Sequence, residues 1–499
     1  MDYFTYYILF SFILIIITYG LTTGRRNSRL PPGPFPFPII GNLLHISDKP
    51  HHSLATLAKR YGPLMSLKLG SRTTIVVSSP DLAKEFFQKH DQSFSGRPSP
   101  HITKVANHED HSIVWLPAGD QWRRLRRICK EYLFSVQRLD ASECLRQEKI
   151  KELVEHIKSC GTSEKTVNIG GVAFTTILNI FTNFIFSMDL AEYDSMSSQE
   201  FKKDVWAVLE VVGKPNLAEL FPFLQPFDPQ GIMRHGNVYI KKILAVFDRI
   251  IDQRMQTRSS SSSLVSTNND VLDSLLNLNE KDEFEFNRND IRHLFFALFV
   301  AGIDTTATTL EWAMTELIHN PEKLKIARSE IIKVMKDKTN IIQESNISQL
   351  PYLQAVIKET LRLHPAAPFL IPHQSIQDVE IQGFLVPKDA QILCNVWAMG
   401  RDPKVWPNPE TFMPERFLEV KIDYRGQDFE LIPFGAGRRI CPGLNIAHRM
   451  LHTMLASLIH KFDWKLEGNM KPEDLNMEDK FGLTVQRKIP LKLIPLTCP

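Results

Sequence analysis

The chain has 499 residues, 43% of them hydrophobic, which is enough to bury a large core in one oversized domain or in two or three ordinary ones. Its 59 basic and 56 acidic side chains leave a net charge of only +3, with no basic stripe interleaved with aromatics, so nucleic acid is set aside as a partner. Six scattered cysteines (Cys129, Cys144, Cys160, Cys394, Cys441, Cys498) form no C-x-x-C pair, which argues against a zinc site or redox dithiol and fits reduced thiols in the cytosol.

Residues 3–21 carry no charge and are long enough to cross a bilayer core of about 30 Å, which predicts a membrane helix. Arg25, Arg26 and Arg29 follow it, so the positive-inside rule puts the rest of the chain in the cytosol. A cleaved signal peptide is the alternative, but the basic residues follow the apolar run and no small-residue cleavage site is evident. Prolines 31, 32, 34, 36 and 38 cannot continue a helix. The expected division is an anchor at 1–24, a basic and proline-rich hinge at 25–42, and one catalytic domain at 43–499.

Two strands are predicted at 65–70 and 73–78, joined at Gly70, Ser71 and Arg72. Helical periodicity dominates thereafter, with strand signals again near 379–386 and the C-terminus, so the class is mainly α with small β-sheets. Segment 97–114 lacks a period and reads as a polar loop; its His101, His108 and His111 lack the usual accompanying metal ligands. Trp122 and Arg126 are four apart on a helix and can grip an anion together, or belong to a solvated basic helix. Segment 217–232 holds Phe221, Phe223 and Phe227, either as core packing or as a loop that dips into a membrane, and 259–269 is a polar connector.

Phe295, Leu298, Phe299 and Gly302 recur at spacings of three and four, predicting a long buried helix over 290–317. At its centre, Gly302 and a threonine bonded back to a carbonyl could open a groove. Asp304 beside Thr305 offers a proton route. Glu359 and Arg362 share a helical face, which in isolation is a surface ion pair. In the run 433–443, Gly435, Gly437 and Gly443 permit positive φ and close approach, while Arg439 and the helix expected over 444–462 favour a thiolate at Cys441. A buried cysteine behind a glycine-rich turn is the alternative, and a dinucleotide fingerprint fails because its third glycine falls on Ile440.

Phe434, Gly437, Arg439, Cys441 and Gly443 match F-x-x-G-x-R-x-C-x-G, and on these positions the chain resembles the haem-thiolate monooxygenases, the cytochrome P450 family. The resemblance implies the family's fold, a single large haem domain, haem b with Cys441 as axial ligand, and O2 as co-substrate. Electrons would come from NADPH through a separate NADPH-cytochrome P450 reductase, since no flavin or nicotinamide site is evident here. It implies Trp122 and Arg126 at a haem propionate, His373 facing a propionate, Asp304 and Thr305 as an acid-alcohol proton relay, and a buried network of Glu359, Arg362 and Arg416. Arg123, Arg127 and Lys130 remain for an acidic partner.

Phe299, Ala301, Ala366, Phe369, Leu370, Phe481 and Leu483 would line a pocket without charge, suited to a small lipophilic substrate. The stretches 397–402, 429–433 and 462–468 resemble plant microsomal members of the geraniol 8-hydroxylase and ferruginol synthase type, which implies a single-pass protein in the endoplasmic reticulum membrane acting on a terpenoid. Hydroxylation of a diterpenoid or phenolic metabolite, and a membrane haem protein without turnover, are the alternatives; intact Asp304 and Thr305 argue for turnover.

Overall fold

The computed structural model describes residues 6–7, 10–11, 29–193, 196–260, 270–280, 286–335 and 342–497. Almost all of the predicted membrane helix, Arg25 and Arg26, most of the 259–269 connector, and Cys498 lie outside the described residues.

Among the described residues the chain is mainly helical with small sheets. Strands β1 (Leu64–Leu69) and β2 (Arg72–Val77) form the predicted hairpin, one residue earlier than expected, in a register from Leu64↔Val77 to Leu69↔Arg72. Its two-residue turn needs Gly70, which sits at φ +56°, and a Cβ there would lie 2.4 Å from Leu220 O. The sheet continues β1-β2-β7-β4, where β4 is His373–Gln374 and β7 is Gln391–Cys394, with β2 and β7 parallel. Ile75, Val76, Ile392 and Leu393 are buried, as the strands of a covered sheet must be. Helix α1 (Pro50–Tyr61) packs beside β1, and strands β5 (Val379–Ile381) and β6 (Phe384–Val386) make the second predicted hairpin.

The proline-rich segment is not a free hinge. Lacking amide donors, its residues serve as acceptors: Ser66 donates from Oγ to Pro31 O at 2.6 Å and from its amide to Pro32 O at 2.8 Å. Leu385 N reaches Arg29 O at 2.6 Å, and buried Asn42 donates to Pro34 O at 3.2 Å. The segment from Arg29 onward is therefore tied to the folded body.

Helices α2 (Asp120–Ile128), α3 (Glu143–Thr162), α4 (Ile169–Phe186), α5 (Ile232–Ser260), α6 (Arg288–His319), α7 (Pro351–Leu363) and α8 (Leu444–Lys461) build the larger layer. The long predicted helix is α6. Asn287 and Asp290 form a reciprocal capping box at its start, with bonds of 3.0 and 3.1 Å. α4 and α6 are apolar enough to cross a membrane, yet 78% of the most apolar window of each is buried inside the protein, so they are core helices. They cross at Gly302, where a Cβ would meet the buried Phe181 ring at 2.6 Å. Gly302 thus serves helix packing, and α6 continues past it.

The chain closes with β11 (Lys492–Thr497), which lies between β3 (Val167–Asn168) and β8 (Phe462–Leu466); β9 (Asp479–Lys480) and β10 (Gln486–Arg487) form a short hairpin beside α6. Segment 217–232 holds a short helix, Leu217–Leu220, and a turn, Pro222–Phe227, with Phe223 and Phe227 exposed rather than packed in the core.

Candidate active site

Cys441 lies on a turn that leads into α8. Its amide donates to Phe434 O at 2.9 Å, and Gly435 and Gly437 adopt φ of +74° and +65°. A side chain on Gly437 would also collide with Phe87 O, 2.4 Å from its Cβ position. Gly443 has an ordinary φ of −86°, and a Cβ there would make only ordinary contact with the sulfur at 3.8 Å; the contribution of Gly443 is its amide, which bonds to the sulfur. Phe434 packs at 5.4 Å against the Tyr424 ring. Burial pushes the Cys441 thiol up, and the Gly443 amide and Arg126 pull it back. The cation that faces the sulfur is therefore Arg126 rather than the expected Arg439. A sulfur so buried becomes a thiolate only against a further positive charge, as a metal ligand does.

α6 is buried on nearly every side, yet Ala301 is exposed midway along it and Val300, Gly302 and Thr305 are half-exposed. Cys441 and Arg97, deep in the protein, are also partly accessible. Exposed area on such residues faces an internal space. Thr305 Oγ1 donates to Ala301 O at 2.7 Å, the backward bond expected from the sequence. Asp304 does not meet Thr305. Its carboxyl points the other way, with Oδ2 2.5 Å from Thr484 Oγ1 and Oδ1 2.9 Å from Gln486 Nε2. Burial raises its pKa, and these two bonds only partly offset that.

One wall of the space gathers positive charge. Arg126 and Arg439 lie close enough to Arg97 to act on it: burial and then these two neighbours hold Arg97 well below the usual arginine range, and burial, Arg126 and Arg438 lower Arg439 to about 10. Burial and Arg97 keep the nearby His373 neutral. Arg439 is held by Ser95 O at 2.9 Å and Leu116 O at 2.6 Å, Arg126 by Ile440 O at 2.8 Å, and His373 Nδ1 by Phe94 O at 2.7 Å. None of the three arginines has a carboxylate ion partner among the described residues, and Arg97 Nε and Arg439 Nη1 are buried without any partner. Such a wall lacks an anion. Trp122, expected to bond one directly, donates instead to Ile113 O at 3.1 Å and lies under the Arg439 guanidinium at 4.4 Å. Arg97 was missed in the sequence because nothing near it marks a partner.

Glu359, Arg362 and Arg416 are all buried and in contact: Glu359 accepts from Arg362 Nε at 2.7 Å and Nη2 at 2.8 Å, from Arg416 Nε at 3.1 Å, and from Met413 N at 2.7 Å. The surface-pair alternative is thereby set aside. Phe369 lies 6.1 Å from Phe481, Leu370 packs at 3.9 Å from the Cβ position of Gly435, and Ala366 O accepts from Val485 N at 2.9 Å. Leu483 is half-buried in the same turn. Phe299 departs from expectation. It is 1% exposed and packs against Phe247 at 5.0 Å and Phe186 at 6.1 Å, on the side of α6 away from Ala301, because two residues along a helix turn the side chain by about 200°.

The three loop histidines do not converge on a metal: His108 meets His293 at 3.0 Å and His111 meets Asp290 at 2.7 Å. His51, His52 and Asp479 do bring ligand atoms within 4.8 Å, but Lys49 already pairs with Asp479 at 2.7 Å and meets its charge.

A thiol offered from a glycine-rich turn into an internal space, bounded by a long core helix and by guanidiniums that lack an anion, marks the class of haem-thiolate proteins. The family called Cytochrome P450 matches residues 31–493. The chain is 54% identical to Cytochrome P450 76T24 of Catharanthus roseus over 97% of this chain and 96% of that one. It is 47% identical to geraniol 8-hydroxylase of the same plant over 100% of both, and 46% identical to ferruginol synthase of Isodon rubescens over 98% and 99%. A zebrafish cytochrome P450 solved with progesterone shares the fold, with a TM-score of 0.76 at 23% identity over 89% of this chain and 99% of that one. The chain belongs to the cytochrome P450 family, and it is a monooxygenase of the plant type. The haem of that family fits the residues present: a sulfur at the space, and a wall whose unpaired N–H groups suit two propionates.

Proposed function

We propose that this chain hydroxylates a small terpenoid, with geraniol as the type of substrate, using electrons passed from NADPH by a separate reductase. The carrying observation is the character of the internal space. Ala301, Ala366, Leu370, Phe481 and Leu483 are all uncharged and at least partly accessible, and the one acid of the central α6 motif, Asp304, is turned out of it. An unpaired charge would be costly there, which disfavours anionic or sugar-bearing substrates.

In this reading Cys441 holds the haem iron, and Arg97, Arg126, Arg439 and His373 hold its carboxylates, with Trp122 as the platform for Arg439. Phe434, Gly437 and Gly443 shape the turn beneath. Bound haem with a thiolate ligand supplies oxygen activation, the sulfur favouring O–O cleavage. The chain's own part is to exclude water, to orient the substrate by shape, and to move protons at Thr305 Oγ1 and the Asp304 carboxyl. Glu359, Arg362 and Arg416 preserve the fold around the turn, since removing one partner of a buried pair strands the other.

Arg123, Arg127 and Lys130 stand exposed on and just beyond α2; the pairs Arg123–Asp120 at 2.7 Å and Arg127–Glu131 at 3.9 Å are exposed and weak, so an acidic reductase surface can replace them. Phe223 and Phe227 are 68% and 75% exposed, and Phe35, Ile39 and Leu44 are 61%, 60% and 72% exposed. The hairpin tip ties the two groups together, through Ser71 N to Leu220 O at 2.8 Å and Gly70 N to Ile40 O at 3.3 Å. This apolar face supports a domain that rests on the endoplasmic reticulum bilayer beside a single N-terminal anchor, with the catalytic body in the cytosol.

Microsomes carrying this chain and a reductase, supplied with geraniol and a panel of diterpenes and phenols, test the reading. One hydroxylated geraniol product is expected, and Cys441→Ala should abolish both the product and the thiolate-type carbon monoxide spectrum. Phenol oxidation without any geraniol product would overturn the terpenoid assignment.

A further inference from the structure

The acid of the α6 motif has partners that the proton-relay reading does not use. Asp304 is 2% exposed, and both of its oxygens are engaged by one short segment: Oδ2 by Thr484 at 2.5 Å and Oδ1 by Gln486 at 2.9 Å. The segment between those partners is fixed at both faces. Val485 N donates to Ala366 O at 2.9 Å, and Val485 O accepts from Trp312 Nε1 of α6 at 3.1 Å. Immediately before Thr484 come Leu483 and Phe481, half-buried, with Phe481 6.1 Å from Phe369. One turn of chain therefore touches the internal space with its first residues and holds the acid with its last.

Adjacent residues on a helix diverge by about 100°, so the Asp304 carboxyl cannot serve Thr305 while Thr484 and Gln486 retain it. Among the described residues no cation pairs with it. Of the charged groups on the elements packed here, Glu311 of α6 accepts from Leu491 N at 2.8 Å, while Arg487 of β10 donates to Ile489 O at 3.0 Å and Asn476 O at 2.8 Å. Burial without a cation raises the pKa of this carboxyl, and one hydroxyl and one amide are partners that such an acid can leave at modest cost.

From this arrangement we propose that Thr484 and Gln486 are positioning residues for the reaction: they store the Asp304 carboxyl outside the internal space, and release it when substrate displaces the turn that carries Phe481 and Leu483. The proposal rests on the reading of Asp304 and Thr305 as the proton relay. The step is one proton transfer. The Asp304 O–H bond breaks as a new O–H bond forms on the Thr305 oxygen, the proton which that oxygen carried passes on to a water in the internal space, and the carboxylate returns to Thr484 and Gln486 to be reprotonated from solvent.

The measurement is hydrogen peroxide released per NADPH oxidised by the holoenzyme with reductase, with geraniol as the probe; it reads misdirected electrons whether or not geraniol is the natural substrate. Thr484→Val, which keeps the shape and removes the hydroxyl, loosens the hold on the acid and should lower this ratio roughly fivefold, the scale of one lost hydrogen bond, with the carbon monoxide spectrum intact. Thr484→Ser should restore the wild-type ratio. Asp304→Asn should raise the ratio, and adding Thr484→Val to it should not bring it down. If Thr484→Val leaves the ratio unchanged or raises it, or lowers it equally in the Asp304→Asn background, Thr484 acts on the pocket alone and the positioning role is lost while the relay stands. If Asp304→Asn itself changes nothing, the relay reading fails and this proposal goes with it.

Discussion

Arg97 shows what a single residue contributes when its partner is not protein. Its Nη1 donates to Ile371 O and, at 2.9 Å, to Pro372 O, while Nε is buried and unpaired beside two other guanidiniums. Charge of one sign gathered without a counter-charge destabilises the empty fold and strengthens the hold on a dianion. Arg97→Met should therefore leave the thiolate spectrum intact but let haem pass to a protein acceptor roughly tenfold faster, the scale of one charge-assisted hydrogen bond. An unchanged transfer rate would remove Arg97 from the carboxylate wall. The Cys441 turn was legible in the sequence because its determinants are consecutive: two glycines in left-handed φ, a cysteine, and a helix start. Arg97, Arg126 and Arg439 meet only in space, and Asp304 finds Thr484 across 180 positions, so neither grouping leaves a local pattern.

At the scale of elements, periodicity located α6 but could not orient it. A helix buried on nearly every side offers no stripe to show which face meets the internal space, so the sequence groups Phe299 with Ala301 although they point apart. The distinction is measurable. Phe299→Ala opens a void among Phe181, Phe186 and Phe247 and should cost about 3–5 kcal/mol of stability while leaving the site of hydroxylation unchanged. Phe481→Ala should do the reverse, spreading hydroxylation of geraniol over several carbons with little loss of stability. A shifted product pattern in Phe299→Ala would return that residue to the pocket. The proline-rich segment misled for a related reason: missing amide donors excluded a helix, but did not reveal that the spare carbonyls are acceptors for Ser66 and Leu385.

Across the whole molecule, acid should loosen the join between segment 97–114 and α6. His108 and His293 bond to each other at 3.0 Å, and burial lowers them from 6.5 to about 3 and about 4; His111, Asp290, Arg292 and Asp248 are the charged or titratable groups around them. Because the folded values lie below the unfolded one, the unfolded chain binds more protons between about 6.5 and about 4, and stability falls as pH drops through that window. The urea midpoint of the holoprotein should decline over this range, and His293→Leu should flatten the decline by about one proton. An identical slope in the variant would show that other groups carry the acid sensitivity.

The last strand of the chain is the middle strand of its sheet. β11 pairs with β8 through Leu493↔Leu466 to Thr497↔Phe462 and with β3 through Lys492↔Asn168 and Leu493↔Val167, and the amide of Leu491 just before it satisfies Glu311 in the core of α6. A ribosome makes the chain from its N-terminus, so β3 and β8 wait for a partner until residues 492–497 have been made, and this sheet cannot close before then. A nonsense codon at Leu491 would remove β11, leaving two strand edges bare and a buried carboxylate without its donor. Such an allele should yield aggregated or chaperone-held apoprotein rather than a weakened enzyme.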